Sequence, residues 1–371
     1  MDFSLSDDQT MMQDIVKRFI SQEYGFETRQ SLLTTKQGYS EDMWQTFAEM
    51  GWLALPIDDQ YGGLGGTIID TMLLQIELGK GLVLEPFFAT AIHSASLLSK
   101  VANDDVKQQW LPKIAAGETK FAVAYAEQNS SFQVTQCATS ASVTGTGYLL
   151  QGKKCVVLGA PSADQLLVTA NTDTGLGVFV VDPSLAGISF NNYATNDGHR
   201  AAEITFDQVE VLTSARLDSG TNAQSAFDAS RDEAIVALAA EALGIMQKLL
   251  AATGEHLHTR QQFGRKIGEF QVLQHRVADM FMALESTQSL LYYAALKIAS
   301  NADDRNRATS MVKVKLAQTS RLVGQTAVQL HGGMGITDEL DVGHYFKRLT
   351  CINALMGSGD QHMQRLLNHA A

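Results

Sequence analysis

The sequence predicts an α+β protein in which two helical regions flank a β-rich one, and three observations carry that prediction. From Ser4 to about Gly117, apolar residues recur at three- and four-residue spacing, as in Met11-Met12-Ile15-Val16-Phe19-Ile20 and Trp44-Phe47-Met50, the period of an amphipathic helix. From about Phe121 to Leu217 the texture changes to short runs rich in Val, Thr, Ala and Tyr, punctuated by Gly, Asn and Asp. Ser142 to Leu150 and Gly177 to Val181 are examples, and they read as strands of an antiparallel β-domain. After Ser225 the helical period returns, with Ala237-Leu238-Ala239, Leu243-Ile245-Met246 and Leu249-Leu250 on one helix and Val272, Val277, Met280, Met282 and Leu284 on the next. The division is therefore an N-terminal helical domain (1–118), a central β-domain (119–224) and a C-terminal helical domain (225–371). At 371 residues, 45% of them hydrophobic, the chain is too long for one simple core and has the apolar side chains to fill several.

Composition excludes several classes of function. A formal charge of −12 with no basic run disfavours phosphate backbones and anionic lipid surfaces, so neither a nucleic acid nor a membrane is an expected partner. A small phosphate-bearing ligand stays compatible, because a few placed Arg and Lys residues suffice for it. No unbroken run of about 18 apolar residues occurs, and Met1-Asp2-Phe3-Ser4 does not open a secretory signal, so a cytoplasmic location is expected. Cys137, Cys155 and Cys351 are odd in number and lack CxxC spacing, which points to buried thiols rather than disulfides or a metal site.

Two segments combine unusual residue types. Thr259 to Gln271 joins Arg260, Gln262, the aromatic Phe263 and the turn-forming Gly264 between two long helical patterns. Taken alone it reads as a helix C-cap, Gly264 ending the helix and Arg260 complementing its dipole. Gln329 to Gly335 ends another helix on paired glycines, Gly332 and Gly333, which permit close approach to the backbone. The glycine loop Gln60 to Gly66 is at least as well explained as a connector. Glu241 stands in the apolar run Leu238 to Gly244, where a carboxylate must be paired, solvated or functional.

Together these segments resemble the flavin signatures of acyl-CoA dehydrogenases, and the resemblance extends from Met1 to about Arg365. It implies an N-terminal helical domain, a central β-domain and a C-terminal four-helix bundle, with FAD as cofactor and α,β-desaturation of an acyl-CoA thioester as the reaction. It further implies that Arg260 and Gln262 hold the flavin pyrophosphate and that Phe263 packs near the adenine. Ile267, Phe270, Gln271 and Ser358 extend the cofactor site, and Gln329, Gly332 and Gly333 meet the adenine end. His331 reads as a structural histidine. Because the family shares this segment between subunits, a homo- or hetero-tetramer is expected, with electron-transfer flavoprotein as the electron acceptor.

Departures from the family pattern are as informative. Where members usually carry Thr-Glu-Pro followed by Gly-Ser-Asp, this chain reads Ala124-Tyr125-Ala126-Glu127-Gln128-Asn129-Ser130-Ser131-Phe132 and retains only Glu127. The usual flavin-side tryptophan and the threonine two residues on correspond to Val156 and Leu158. The catalytic glutamate position, 27 residues beyond Gln329, is Met356 in Leu355-Met356-Gly357-Ser358-Gly359. The alternative glutamate position on the first bundle helix is Ala234, so neither place holds a base. Glu241, seven residues beyond Ala234 and about 10 Å along the helix, is the candidate displaced base, with a structural ion pair as the competing reading. Asp360 and His362 read as lining a surface or substrate entrance.

Within the family, Leu238 to Gly244, Arg260 to Gln271, Leu273 to Arg276 and especially Gly343-His344-Tyr345-Phe346-Lys347-Arg348-Leu349-Thr350 resemble the small subunits of pimeloyl-CoA dehydrogenases. That implies a related large subunit and a dicarboxylic or medium-to-large acyl-CoA. Two readings stand: an FAD-dependent dehydrogenase subunit, or a catalytically silent one that completes a partner's FAD site.

Overall fold

The structure, a computed structural model, describes residues 5–130, 136–218 and 221–368; the motif positions Ser131 and Phe132, and Met1 to Ser4, lie outside them. Helices α1 (Asp7–Glu23), α2 (Phe26–Leu33), α3 (Glu41–Glu49), α4 (Ile68–Gly81), α5 (Ala95–Val101) and α6 (Asp104–Ala115) precede the strands. Local chemistry explains their starts. Ser6 and Gln9 form a reciprocal capping box on α1, followed by Asp7 and Asp8 in the first turn, where the helix dipole favours negative charge. Strands β1 (Phe121–Ala124), β2 (Ser140–Val143), β3 (Gly147–Leu158), β4 (Gln165–Thr172), β5 (Gly175–Val181), β6 (Ile188–Ala194) and β7 (Arg200–Leu212) follow. The chain closes with α7 (Ala223–Thr259), a hairpin of β8 (Gln261–Gln262) and β9 (Arg265–Lys266), then α8 (Gln271–Ala299), α9 (Arg305–His331), α10 (Asp341–Ala354) and α11 (Gly359–Asn368).

Contacts gather the chain into two compact units, and the N-terminal helices are shared between them: 1–30, 68–83 and 235–371 form the first, 31–67 and 84–234 the second. In the first, α9 is the spine, packed against α8, α10 and α11. Helices α4 and α7 approach so closely that a Cβ on Gly79 would lie 2.2 Å from the Glu241 carbonyl oxygen, and one on Gly244 would lie 1.9 Å from that of Ile76. Only glycine fits at either crossing point. Helix α7 also carries a stretch long and apolar enough to cross a bilayer by length and composition, with 78% of it buried inside the protein. Glu241 and Lys248 interrupt the apolar sequence of this helix.

In the second unit the strands run β1-β4-β2-β3-β7-β6, with β5 on β4. The pairings β2/β3, β3/β7, β4/β5 and β6/β7 are antiparallel, as the strand texture predicts. The β1/β4 pairing is parallel and β2 touches β4 in the same sense, so the sheet is mixed. Parallel neighbours need a long crossover, and β1 is separated from β4 by two intervening strands. The sheet encloses a core that includes Leu150, Val168, Phe179, Ile204 and Phe206. In the Gln60 to Gly66 loop, a Cβ on Gly63 would collide with the Ile57 carbonyl at 1.9 Å, which favours the structural reading of those glycines.

Candidate active site

Within the first unit, α7 ends at Thr259 and the chain turns back through the β8/β9 hairpin, whose tip is Phe263-Gly264 with φ of 54° and 78°. Positive φ at both central residues is the geometry of a tight hairpin turn, and it leaves Phe263 90% exposed. Phe263 meets Phe270 edge-on at 6.1 Å, and the Arg265 guanidinium lies 4.2 Å from the Phe270 ring centroid. At the end of α9, Gly332 (φ 65°) caps the helix by donating to the Gln329 carbonyl, and a short 3₁₀ turn, Gly332–Ile336, follows. A cavity of about 700 Å³ joins the two places, lined by Arg260, Thr259, His256, Lys248, His331 and Met334 among others.

The sequence-predicted residues distribute as follows. Arg260 lies on this cavity, next to the turn that carries Gly332 and Gly333. Gln262, Phe263, Gln271, Gln329, Gly332 and Gly333 are exposed, while Ile267 and Phe270 are half-buried. The Gln262 side chain donates to the Gln261 carbonyl at 2.8 Å. Ser358 stands apart, in the α10–α11 turn beside Met356, where it caps α11 through a reciprocal pair of hydrogen bonds with Gln361. His331 is a satisfied structural histidine: its Nδ1 lies 2.8 Å from the Ala327 carbonyl and its ring stacks on His256 at 4.4 Å. His256 escaped the sequence reading, although its position one turn before Arg260 was a usable signal. Burial, then His331 and Arg260, hold its pKa below the usual histidine range.

These residues fit a flavin dinucleotide. A Cβ built on Gly264, Gly332 or Gly333 would meet nothing within 4 Å, so their backbones are open to close approach. Arg260, on the cavity, is a cation of the kind that would hold a pyrophosphate, and Phe263 is an uncovered ring on which a base would stack.

The position of the expected base is built differently. Met356 is buried and apolar, in the left-handed region at φ 58°, followed by Gly357 at φ 99°. Ala234 is buried too. Glu241, expected either as a displaced base or as a structural ion pair, is ion-paired: Arg348 Nε donates to its Oε1 at 2.6 Å and the terminal nitrogen to Oε2 at 2.8 Å. Both oxygens are thus engaged, with Glu241 6% and Arg348 3% exposed, so the carboxylate is buried and neutralised by the guanidinium rather than held free as a base. His362, expected at a surface or entrance, is buried: its Nε2 donates to the Met356 carbonyl at 2.9 Å. Asp360 is exposed.

In the second unit, Glu127 is a buried hub. Its Oε1 accepts from Lys154 Nζ at 2.7 Å and Thr139 Oγ1 at 2.6 Å, and its Oε2 accepts from the Ala138 N–H at 2.6 Å. Burial raises its pKa, but Lys154 and the hydrogen bonds outweigh this and hold it at about 2. Val156, which the resemblance places at the family's tryptophan position, sits on an irregularity of the β3/β7 ladder with φ 50°. Among the described residues six non-glycine positions have positive φ, and three of them, Val156, Phe263 and Met356, are positions the sequence reading tied to flavin or thioester. Strain gathers where function is expected.

Comparison with known proteins defines the class. Models of the acyl-CoA dehydrogenase N-terminal, middle and C-terminal domains match residues 6–118, 122–209 and 220–370, and the chain belongs to the acyl-CoA dehydrogenase family, whose cofactor is FAD. Among individual proteins it is similar to mitochondrial isovaleryl-CoA dehydrogenase of Pongo abelii, 25% identical over 98% of this chain and 88% of that protein. A solved structure of the Tcur3481-Tcur3483 steroid ACAD superposes with a TM-score of 0.89 at 26% identity, covering 98% of each chain. The FAD complex of PigA superposes with a TM-score of 0.90 at 24% identity, over 100% of this chain and 99% of that one, a likeness of fold.

Proposed function

We propose that this chain is an FAD-binding acyl-CoA dehydrogenase subunit that works inside an oligomer and, alone, does not abstract the substrate α-proton. The observation that carries this reading is that both expected base positions are apolar while the neighbouring Glu241 and Glu233 are committed to other partners. Met356 and Ala234 are apolar, and Glu241 is chelated by Arg348. Glu233, adjacent to Ala234, is held by Lys100 at 2.7 Å and by Ser96 at 2.5 Å. Desaturation needs a free carboxylate to take the α-proton while the β-hydrogen leaves as hydride, which bound FAD accepts.

What this chain's own residues contribute is binding. Arg260 and the Phe263–Gly264 turn hold the nucleotide end of the cofactor together with Gln329, Gly332 and Gly333. The backbone N–H of Met356 serves as a donor to the thioester oxygen, since a side-chain replacement leaves the main chain in place. A partner polypeptide of the same family supplies the complete catalytic site. The two named components of the steroid ACAD support such an assembly for a relative with 26% identity to this chain. A dicarboxylic or medium-to-large acyl-CoA is the substrate class, with electron-transfer flavoprotein as acceptor.

The test is an absorbance spectrum of the protein purified alone, followed by anaerobic titration with monocarboxylic and dicarboxylic acyl-CoAs. The expected result is a yellow protein whose flavin does not bleach, and a Met356→Glu variant that bleaches. Full bleaching of the wild type within seconds would overturn the reading.

A further inference from the structure

The α10–α11 turn that carries Met356 is held by an unusual donor. Lys313, on α9, is 1% exposed and has no carboxylate within 4.0 Å among the described residues. Its Nζ donates to the carbonyls of Leu355 at 2.7 Å, Ile352 at 3.0 Å and Asn353 at 3.4 Å. One residue further on, His362 Nε2 donates to the Met356 carbonyl at 2.9 Å while its Nδ1 faces Ser310 Oγ, on the same helix as Lys313, at 3.1 Å. Four carbonyls of residues 352–356 are therefore gripped by two side chains, one from α9 and one from α11.

Ending a helix does not require this. The last carbonyls of a helix are ordinarily satisfied by water or by a glycine in the left-handed conformation. Burying an amine with no carboxylate partner is costly, and here burial pushes the Lys313 pKa down to about 7. What the arrangement achieves is over-determination of the backbone. A non-glycine residue in the left-handed region is strained and persists only where its surroundings enforce it. Met356 at φ 58° is such a residue, and the grip falls on the carbonyls immediately before it and on its own.

We propose that Lys313, assisted by His362, is a positioning residue that fixes the backbone of residues 355–357 in the conformation used to bind the acyl thioester. The inference rests on the reading of Met356 as part of the thioester site. Lys313 acts through the peptide backbone and does not touch substrate.

The experiment uses the FAD-loaded oligomer with Lys313→Met, which keeps most of the length of the side chain and removes its donors. Two readouts are taken: amide hydrogen exchange of residues 352–358, and the flavin difference spectrum during titration with a thioether-substituted acyl-CoA that cannot be desaturated. Expected are exchange at least tenfold faster in 352–358 with α8 unchanged, and an analogue Kd raised at least tenfold at unchanged FAD content. Unchanged local exchange overturns the inference. So does a fall in thermal stability with unchanged analogue affinity per bound flavin, because Lys313 is then only a stabiliser. If the wild type binds no analogue, the thioester reading fails, and the exchange readout alone decides whether Lys313 fixes the turn. Should Lys313→Met not fold, His362→Ala removes the contact to the Met356 carbonyl and is held to the same outcomes.

Discussion

Replacing Glu241 by Gln separates a buried ion pair from a displaced base, and the structure sets the size of the effect. Glu241 and Arg348 are both almost wholly buried and joined by two charge-assisted hydrogen bonds of 2.6 and 2.8 Å. Glu241→Gln removes the charge and leaves the Arg348 guanidinium stranded in the interior of the helical unit. Breaking a buried pair in this way costs about 3–5 kcal/mol. The amide oxygen still accepts one hydrogen bond from Arg348, so a loss near the lower end, about 3 kcal/mol, is expected. Close packing of α4 on α7 at Gly79 and Gly244 leaves little room to relax. Arg348→Met strands the carboxylate instead and falls in the same range. The double variant Glu241→Leu with Arg348→Met returns to within about 2 kcal/mol of wild type, because no charge is then buried unpaired. Denaturant unfolding of the four proteins measures these losses. In the Met356→Glu background, flavin bleaching per folded chain is expected to be the same with Glu or Gln at 241. Wild-type stability in Glu241→Gln, or a selective loss of bleaching in a protein of undiminished stability, refutes the ion-pair assignment.

Arg260→Ala is expected to weaken FAD retention by about tenfold to a hundredfold, the value of a charge-assisted hydrogen bond of roughly 1.5–3 kcal/mol. Flavin per chain after gel filtration reads it out, and full retention would remove Arg260 from the cofactor site. His93 is buried in a ring of Phe88, Tyr125 and Phe227, and burial holds its pKa at about 3, below its ordinary 6.5. The unfolded chain therefore takes up a proton that the folded one refuses, so stability present above pH 6.5 falls by about 2 kcal/mol by pH 5. His93→Leu flattens that slope, and an identical slope in both proteins would contradict the assignment. Lys154→Met strands the Glu127 carboxylate and is expected to cost about 3–5 kcal/mol at neutral pH. With the Glu127 pKa depressed from 4.5 to about 2, the wild type loses about 3 kcal/mol from this group as pH falls through that window. A stable Lys154→Met protein with unchanged acid sensitivity would show that the pair is not the anchor of this segment.

Much of this molecule was legible before any coordinates. The helical period, the strand texture from Phe121 and the two glycine-bearing motifs are local patterns, set by side-chain spacing and backbone freedom within a few residues, so α+β order and family resemblance follow from the chain alone. That Met356 and Ala234 are apolar residues is likewise a fact of sequence. What Glu241 does was not legible, because its partner Arg348 lies 107 residues away and only the packing of α10 near α7 brings them together. The same holds for the Lys313 and His362 grip on the Met356 turn, where donors and acceptors come from three helices. The parallel β1/β4 pairing and the sharing of the N-terminal helices between two units are equally non-local. Sequence determined which residues are present and which local shapes they prefer. Tertiary structure decided which charges are paired and which backbones are held, because burial and partner distance are properties of the packed chain and not of any segment of it.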